Sequence, residues 1–139
     1  EMRRVARPGG AVLAFAEPDY GGRVDYPSEL AQTGAWQAAS LRAQGADPLI
    51  GRSLAGLFTA AGLAQVQVGV LGGQWQPQTL DPAACESEWQ VIASDLAALP
   101  GAPVPPSELA RLRRLDEAAR RRGERILFVP TFYAWGVAP

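Results

Sequence analysis

The sequence contains no histidine and no lysine, and it has only one cysteine, Cys85. Without histidine, neither serine–histidine nor cysteine–histidine catalysis can operate within the chain. A zinc site built from the usual histidine and cysteine ligands is excluded as well, and we expect no bound metal. A single cysteine cannot form an internal disulfide bond. These absences remove several classes of hydrolase, redox protein and zinc protein from consideration.

The chain also lacks long apolar runs and a strong net charge. No apolar run approaches the roughly 20 residues that a transmembrane helix needs. No signal-peptide pattern is visible, so we expect a cytoplasmic protein without a membrane partner. The net charge is −1, which gives no overall attraction for nucleic acid. The basic residues between Arg111 and Arg125 alternate with acidic ones, which favours a solvated helix face over a nucleic-acid surface.

What the sequence does contain is a globular composition organised around one apolar segment. Its 139 residues are 47% hydrophobic, which predicts a single domain with a substantial core. Residues 11–16 follow a Pro-Gly-Gly turn and show no alternation of apolar and polar positions. This pattern is typical of a strand that is buried on both faces of a parallel sheet. The acidic turn at residues 17–20 follows at the carboxyl end of the predicted strand.

Capping signals and periodicity predict the remaining elements. Ser28, Asp47 and Asp81 are predicted N-caps. Gly62 is predicted to end its helix in the left-handed conformation, and Pro130 to mark a bulge or an edge in the last strand. The predicted elements are helices over 28–44 and 47–63, helices from 81 to the Pro100-Gly101 pair and from 107 to Gly123, and strands over 64–71 and 125–137.

Three motifs occur in a fixed order along the chain: Val5-Ala-Arg-Pro-Gly-Gly10 with its strand, Gly51-Arg-Ser-Leu-Ala-Gly-Leu-Phe-Thr-Ala-Ala-Gly62, and a closing strand that ends Gly136-Val-Ala-Pro139. In this order they resemble the carboxyl-terminal half of a class I S-adenosylmethionine-dependent methyltransferase. The resemblance implies an α/β fold, a partial Rossmann-like sheet with flanking helices. Its three strands would correspond to the last three of the family, with the final strand antiparallel and between the other two.

The resemblance also implies where the cofactor is held. The family binds S-adenosylmethionine on a glycine-rich turn after its first strand and on an acidic residue that ends its second. Both features would lie upstream of Glu1. We therefore expect S-adenosylmethionine to be the cofactor of the full-length protein, and we expect no cofactor-binding residue among residues 1–139.

The loop after the first strand is the candidate substrate site, because the resemblance implies an acceptor pocket there. A carboxylate in this loop could accept a proton or orient an acceptor hydroxyl or amine. The competing interpretation is a polar turn in which Asp19 hydrogen-bonds the backbone. Arg52, in the first turn of its helix, either pairs with a partner carboxylate or is solvated. The candidate substrate-binding residues in this loop are Glu17, Asp19, Tyr20 and Arg23. A fifth candidate, Trp75, lies in a later loop between Gly73 and Pro77, where it could line an apolar acceptor pocket.

Two hypotheses of different classes follow for the function. The first is the substrate-side fragment of a methyltransferase that acts on a small-molecule acceptor, inactive by itself. The second is a non-catalytic binding or dimerisation module derived from the same fold. In both, the apolar strand at residues 11–16 needs a neighbour, so we expect it to pair with a second copy or with a missing N-terminal half. The acceptor and the methylated atom stay open.

Overall fold

The structure is a computed structural model that describes residues 1–72, 81–99, 101 and 104–139, and it divides into two compact units. The sheet unit comprises Glu1–Gly22, Leu49–Gly73 and Val129–Pro139, and the helical unit comprises Arg23–Pro48 and Gln74–Phe128. The predicted α/β class is confirmed at the level of mixed helices and strands. In chain order the elements are α1 (Met2–Val5), β1 (Ala11–Pro18), β2 (Val24–Tyr26), α2 (Ala31–Ala43), α3 (Ile50–Ala60), β3 (Ala64–Leu71), α4 (Pro82–Ala98), α5 (Pro106–Arg121), β4 (Ile126–Phe128) and β5 (Thr131–Val137).

The sheet unit contains a three-stranded sheet with the order β1-β5-β3. The last strand of the chain, β5, runs antiparallel to both of its neighbours, with Trp135 opposite Leu13 on one side and Gln67 on the other. The predicted central, antiparallel position of the final strand is therefore confirmed. Three strands do not define a Rossmann-like sheet, which stays a prediction.

Strand β1 is buried on one face only in the sheet unit. Val12 and Ala14 pack against the core that includes α3, whereas Leu13 is 57% exposed and Phe15 is 63% exposed. The prediction of a strand buried on both faces is wrong for the described residues. The physical reason is that β1 is an edge strand of an antiparallel sheet, and such a sheet needs cover on one face only.

The end of α3 is set by glycine, as the sequence predicts. Gly62 has a φ of 70° and donates its N–H to the Thr59 carbonyl at 2.8 Å, while Leu63 donates to the Phe58 carbonyl at 3.2 Å. These two bonds form a Schellman ending. Because the turn directs Leu63 into the core beside Phe58, the same ending also fixes where β3 begins.

Two predicted helix starts are wrong, and one is confirmed. Residues Ser28–Leu30 form a 3₁₀ turn, and α2 begins only at Ala31 without a side-chain cap. Likewise α3 begins at Ile50, so Asp47 is not its N-cap. The start of α4 follows the prediction, since the Asp81 carboxylate accepts a hydrogen bond from the Ala83 N–H at 3.0 Å.

The helical unit has its own apolar core and a two-stranded antiparallel sheet of β2 and β4. Leu112 of α5 is completely buried, and Trp89 and Ile92 of α4 lie in the same core, as their spacing predicts. The single strand predicted over 125–137 is instead two strands, β4 and β5, which belong to different sheets. Pro130 lies at the break because proline has no N–H to donate to a ladder.

A continuous chain of ion pairs also stabilises the helical unit. Its charges alternate in sign and sum to zero, and Glu88 at one end is the most exposed member, at 28%. Each buried member has a partner of opposite charge, which is the condition under which buried charges are tolerated. The consecutive pairs are Arg23–Asp25 at 2.6 Å, Asp25–Arg125 at 2.9 Å, Arg125–Asp116 at 2.7 Å, Asp116–Arg120 at 2.9 Å and Arg120–Glu88 at 2.5 Å.

Gly51, in the first turn of α3, sets how closely this helix approaches β1. A Cβ atom at this position would lie 2.7 Å from the Glu17 carbonyl oxygen and 2.7 Å from the Phe132 ring. Gly51→Ala should therefore push α3 away from the sheet and lower the free energy of unfolding by about 1–3 kcal/mol.

The matched control for this prediction is Gly56, which lies on the same helix with no atom near its Cβ direction. Gly56→Ala should raise the free energy of unfolding by up to about 1 kcal/mol, since alanine is the better helix former. Urea denaturation of both variants is the measurement. Effects of the same sign would contradict the close approach of α3 to β1.

Candidate functional site

A β-bulge near the carboxyl end of β1 turns one carboxylate toward α3. Val12 and Ala14 face α3 at alternate positions, so a regular strand would place Glu17 on the opposite face. The register with β5 shifts between Ala14 and Glu17, and Ala16 has a φ of 67°. The extra residue brings Glu17 opposite Phe132, on the face that packs against α3. Bulges commonly re-aim a side chain next to a functional site.

Glu17 borders a cleft of about 360 Å³ between β1 and α3. Apolar side chains form most of its lining, with Val12 and Ala14 on the strand and Leu54 and Leu57 on the helix. Glu17 is half-buried, and among the described residues its carboxylate makes no side-chain hydrogen bond or ion pair. The cleft therefore combines apolar walls with one carboxylate that is available to a ligand.

Asp19, two residues further on, is held by Arg52 instead. The Arg52 Nε donates to Oδ2 at 2.5 Å and its Nη2 donates to Oδ1 at 2.7 Å. The backbone N–H of Gly21 also donates to Oδ1, at 2.9 Å. Hydrogen bonding from Arg52 holds the pKa of the Asp19 carboxyl below its usual range. Asp19 thus ties the loop after β1 to the first turn of α3. It accepts a hydrogen bond from the backbone, as expected for a polar turn, and it is also the partner carboxylate that was one of the two expectations for Arg52.

The other predicted site residues lie in different places. Tyr20 is half-buried in a 3₁₀ turn, Tyr20–Gly22, directly after Asp19. Arg23 belongs to the helical unit, where Asp25, Thr33 and Gln37 accept its hydrogen bonds. Trp75 lies outside the described residues. The structure therefore places Glu17 near the end of β1 and Asp19 and Tyr20 in the turn that follows it, and substrate binding at all five positions stays a prediction.

One wall of this cleft was not predicted from the sequence. The helical spacing of five apolar residues predicts one continuous buried stripe, but one of them, Leu57, is 49% exposed and lines the open cleft. The five residues are Ile50, Leu54, Leu57, Phe58 and Ala61. The width of the stripe was a sequence signal for the cleft wall, because an apolar helix face that is wider than its contact with the sheet leaves some side chains exposed. No sequence signal marked the bulge at Ala16, since alanine has no preference for a positive φ.

The one cysteine of the chain is a poor candidate for catalysis. Cys85 is buried, and burial raises the pKa of its thiol, so it is a poor nucleophile at neutral pH.

In the part of the chain that the structure describes, no helix is both long and apolar enough to cross a bilayer. Comparison with models of known protein families gave no match, and comparison with curated proteins gave no significant match.

The Asp19–Arg52 pair predicts how stability depends on pH. The folded-state pKa of Asp19 is depressed, so its contribution is present above the unfolded value of about 3.9 and is lost as the pH falls through the folded value. Asp19→Asn should lower the free energy of unfolding by about 1–3 kcal/mol at neutral pH. The difference between variant and wild type should shrink in acid.

Urea denaturation at neutral pH and near pH 3 checks this dependence. The control is Glu124→Gln, which removes an exposed pair with Arg122 and should leave stability at neutral pH unchanged. A difference between Asp19→Asn and wild type that is the same at both pH values would contradict the role given to the ionised pair.

Proposed function

We propose that residues 1–139 form the substrate-side part of an S-adenosylmethionine-dependent methyltransferase that acts on a small molecule. The observation that carries the proposal is the strand order β1-β5-β3. Strands that follow each other in sequence usually lie side by side, which would give β1-β3-β5. Insertion of the last strand, antiparallel, between the other two agrees instead with the order that the resemblance implies.

The edge of β1 gives independent support. Natural edge strands are usually blunted by charged residues, proline or a short length, because an open edge invites pairing with another strand. Residues 11–16 carry no charge and no proline, yet they lie at the sheet edge with Leu13 and Phe15 exposed. A segment of this kind is suited to an interior position. The proposal places the next strand in the cofactor-binding half of the enzyme.

Two glycine pairs among the described residues are already engaged within the chain, which supports a cofactor site elsewhere. Gly9 donates to the Ala138 carbonyl at 2.8 Å and Gly10 accepts from the Ala138 N–H at 2.9 Å, so this glycine pair extends the pairing with the end of β5. A Cβ atom at Gly21 would lie 2.5 Å from the Arg52 side chain, so that turn is already filled. In this proposal the cofactor is held by residues outside 1–139.

The part played by the described residues is to position the acceptor. Methyl transfer depends strongly on how the nucleophile is aligned with the methyl donor, which is a task of orientation. Glu17 is the residue best placed to accept a hydrogen bond or a proton from an acceptor hydroxyl or amine. The Asp19–Arg52 pair fixes the loop that directly follows Glu17 and the end of β1.

The test is a calorimetric titration of S-adenosylmethionine into two proteins, the 139-residue chain and the product of its complete reading frame. We expect no binding at micromolar concentration to the 139-residue chain and binding to the complete product. Micromolar binding to residues 1–139 would contradict the proposal. A complete reading frame without a strand followed by a Gly-x-Gly turn would also contradict it.

The exposed edge of β1 also favours the second candidate function, a binding or dimerisation module. Two copies could pair their β1 edges through a two-fold axis. Light scattering of the 139-residue chain over a range of micromolar concentrations should give a mass above that of the monomer. A monomer at every concentration would count against the module, and it would leave the cofactor titration as the test of the methyltransferase proposal.

A further inference from the structure

We propose that the cleft between β1 and α3 binds an organic ammonium ion with an apolar tail, whose charged end lies on Glu17. The inference concerns the sheet unit alone and does not depend on the methyltransferase proposal. It rests on three features of the cleft: its walls, its charge and the backbone that positions its carboxylate.

The walls of the cleft suit an apolar tail. Val12, Ala14 and Leu54 are buried and form its deeper part, whereas Leu57 is half-exposed and forms part of its rim. The volume of about 360 Å³ is within the range of roughly 300–1,000 Å³ that is typical of small-molecule sites. A linear chain of a few methylene groups would cover the exposed part of Leu57 and pack against the deeper residues.

The charge of the cleft favours a cation. Two charged residues besides Glu17, Glu1 and Arg3, line the cleft, and each already has a hydrogen-bond partner within the described chain. Glu1 accepts a hydrogen bond from the Arg4 Nε at 2.7 Å, and Arg3 donates to the Ala61 carbonyl at 2.7 Å. Glu17 is thus the lining carboxylate without a described partner, and an ammonium group would give it a charge-assisted hydrogen bond.

The backbone conformation gives a reason to regard this placement as functional. An alanine in the left-handed region, such as Ala16, costs about 1–2 kcal/mol relative to an ordinary conformation. The bulge that contains it brings Glu17 onto the cleft side of β1. Strain that persists in order to aim a charged side chain into a cleft is typical of binding sites. A strand that only contributed apolar side chains to the core would not need this strained conformation at Ala16.

The test uses three probes of the same length: hexylammonium, hexanol and hexanoate. Chemical-shift changes in the methyl groups of Ile50, Leu54 and Leu57 report binding to the cleft of the 139-residue chain. We expect hexylammonium to bind more tightly than hexanol and hexanoate to bind least. Glu17→Gln should weaken hexylammonium by about tenfold and leave hexanol unchanged, since only the cation uses the carboxylate.

Two further variants separate the contribution of the Glu17 charge to probe binding from the contribution of the apolar walls. Leu57→Ser should weaken hexylammonium and hexanol by the same factor, because both place their tails on this half-exposed side chain. Glu124→Gln, which removes an exposed acid of the helical unit, should change neither. The proposal is overturned if hexanol binds wild type as tightly as hexylammonium. It is equally overturned if Glu17→Gln binds hexylammonium like wild type, or if no probe shifts the cleft methyl groups.

Discussion

The sheet unit depends on hydrogen bonding along both edges of β5. Strands β1 and β3 have no ladder with each other, so the sheet is joined only through the last strand of the chain. Ala134, at the centre of β5, is completely buried, and its small side chain leaves room for Leu54 and Phe58 of α3. Gly51 extends the same close approach to the far end of β1. The position of the cleft beside β1 follows from this packing.

The end of β1 and the loop that follows it each carry a carboxylate, and the two are used in different ways. Asp19 is buried and neutralised by Arg52, which makes it part of the framework. Glu17 lies two residues earlier, but the bulge turns it toward the cleft, where no described side chain pairs with it. A carboxylate in a turn becomes a candidate ligand-binding group only when its own chain leaves it unpaired. By this criterion Glu17 is the better candidate of the two.

Several local features were predictable from the sequence, although the N-caps predicted at Ser28 and Asp47 were wrong. Apart from the strand order that the resemblance implies, features that depend on distant contacts were not predictable. The Gly62 ending of α3, the Asp81 cap and the Asp116–Arg120 pair each involve residues within one turn of a helix, so spacing alone indicates them. The pairing of Asp116 with Arg125 depends on where α5 ends and β4 begins, which spacing does not indicate. The exposed face of β1 and the bulge at Ala16 depend on which elements pack nearby.

The central proposal is that β1, an edge strand in the described residues, is an interior strand of a larger sheet in the complete protein. Hydrogen exchange of the backbone amides at residues 12–15 tests it most directly, in the dilute 139-residue chain and in the product of the complete reading frame, with the Ala134 amide as a protected reference. The account predicts that the β1 amides on the open edge exchange quickly in the 139-residue chain and slow by about a hundredfold or more in the complete product. Equally fast exchange of these amides in both proteins would contradict it.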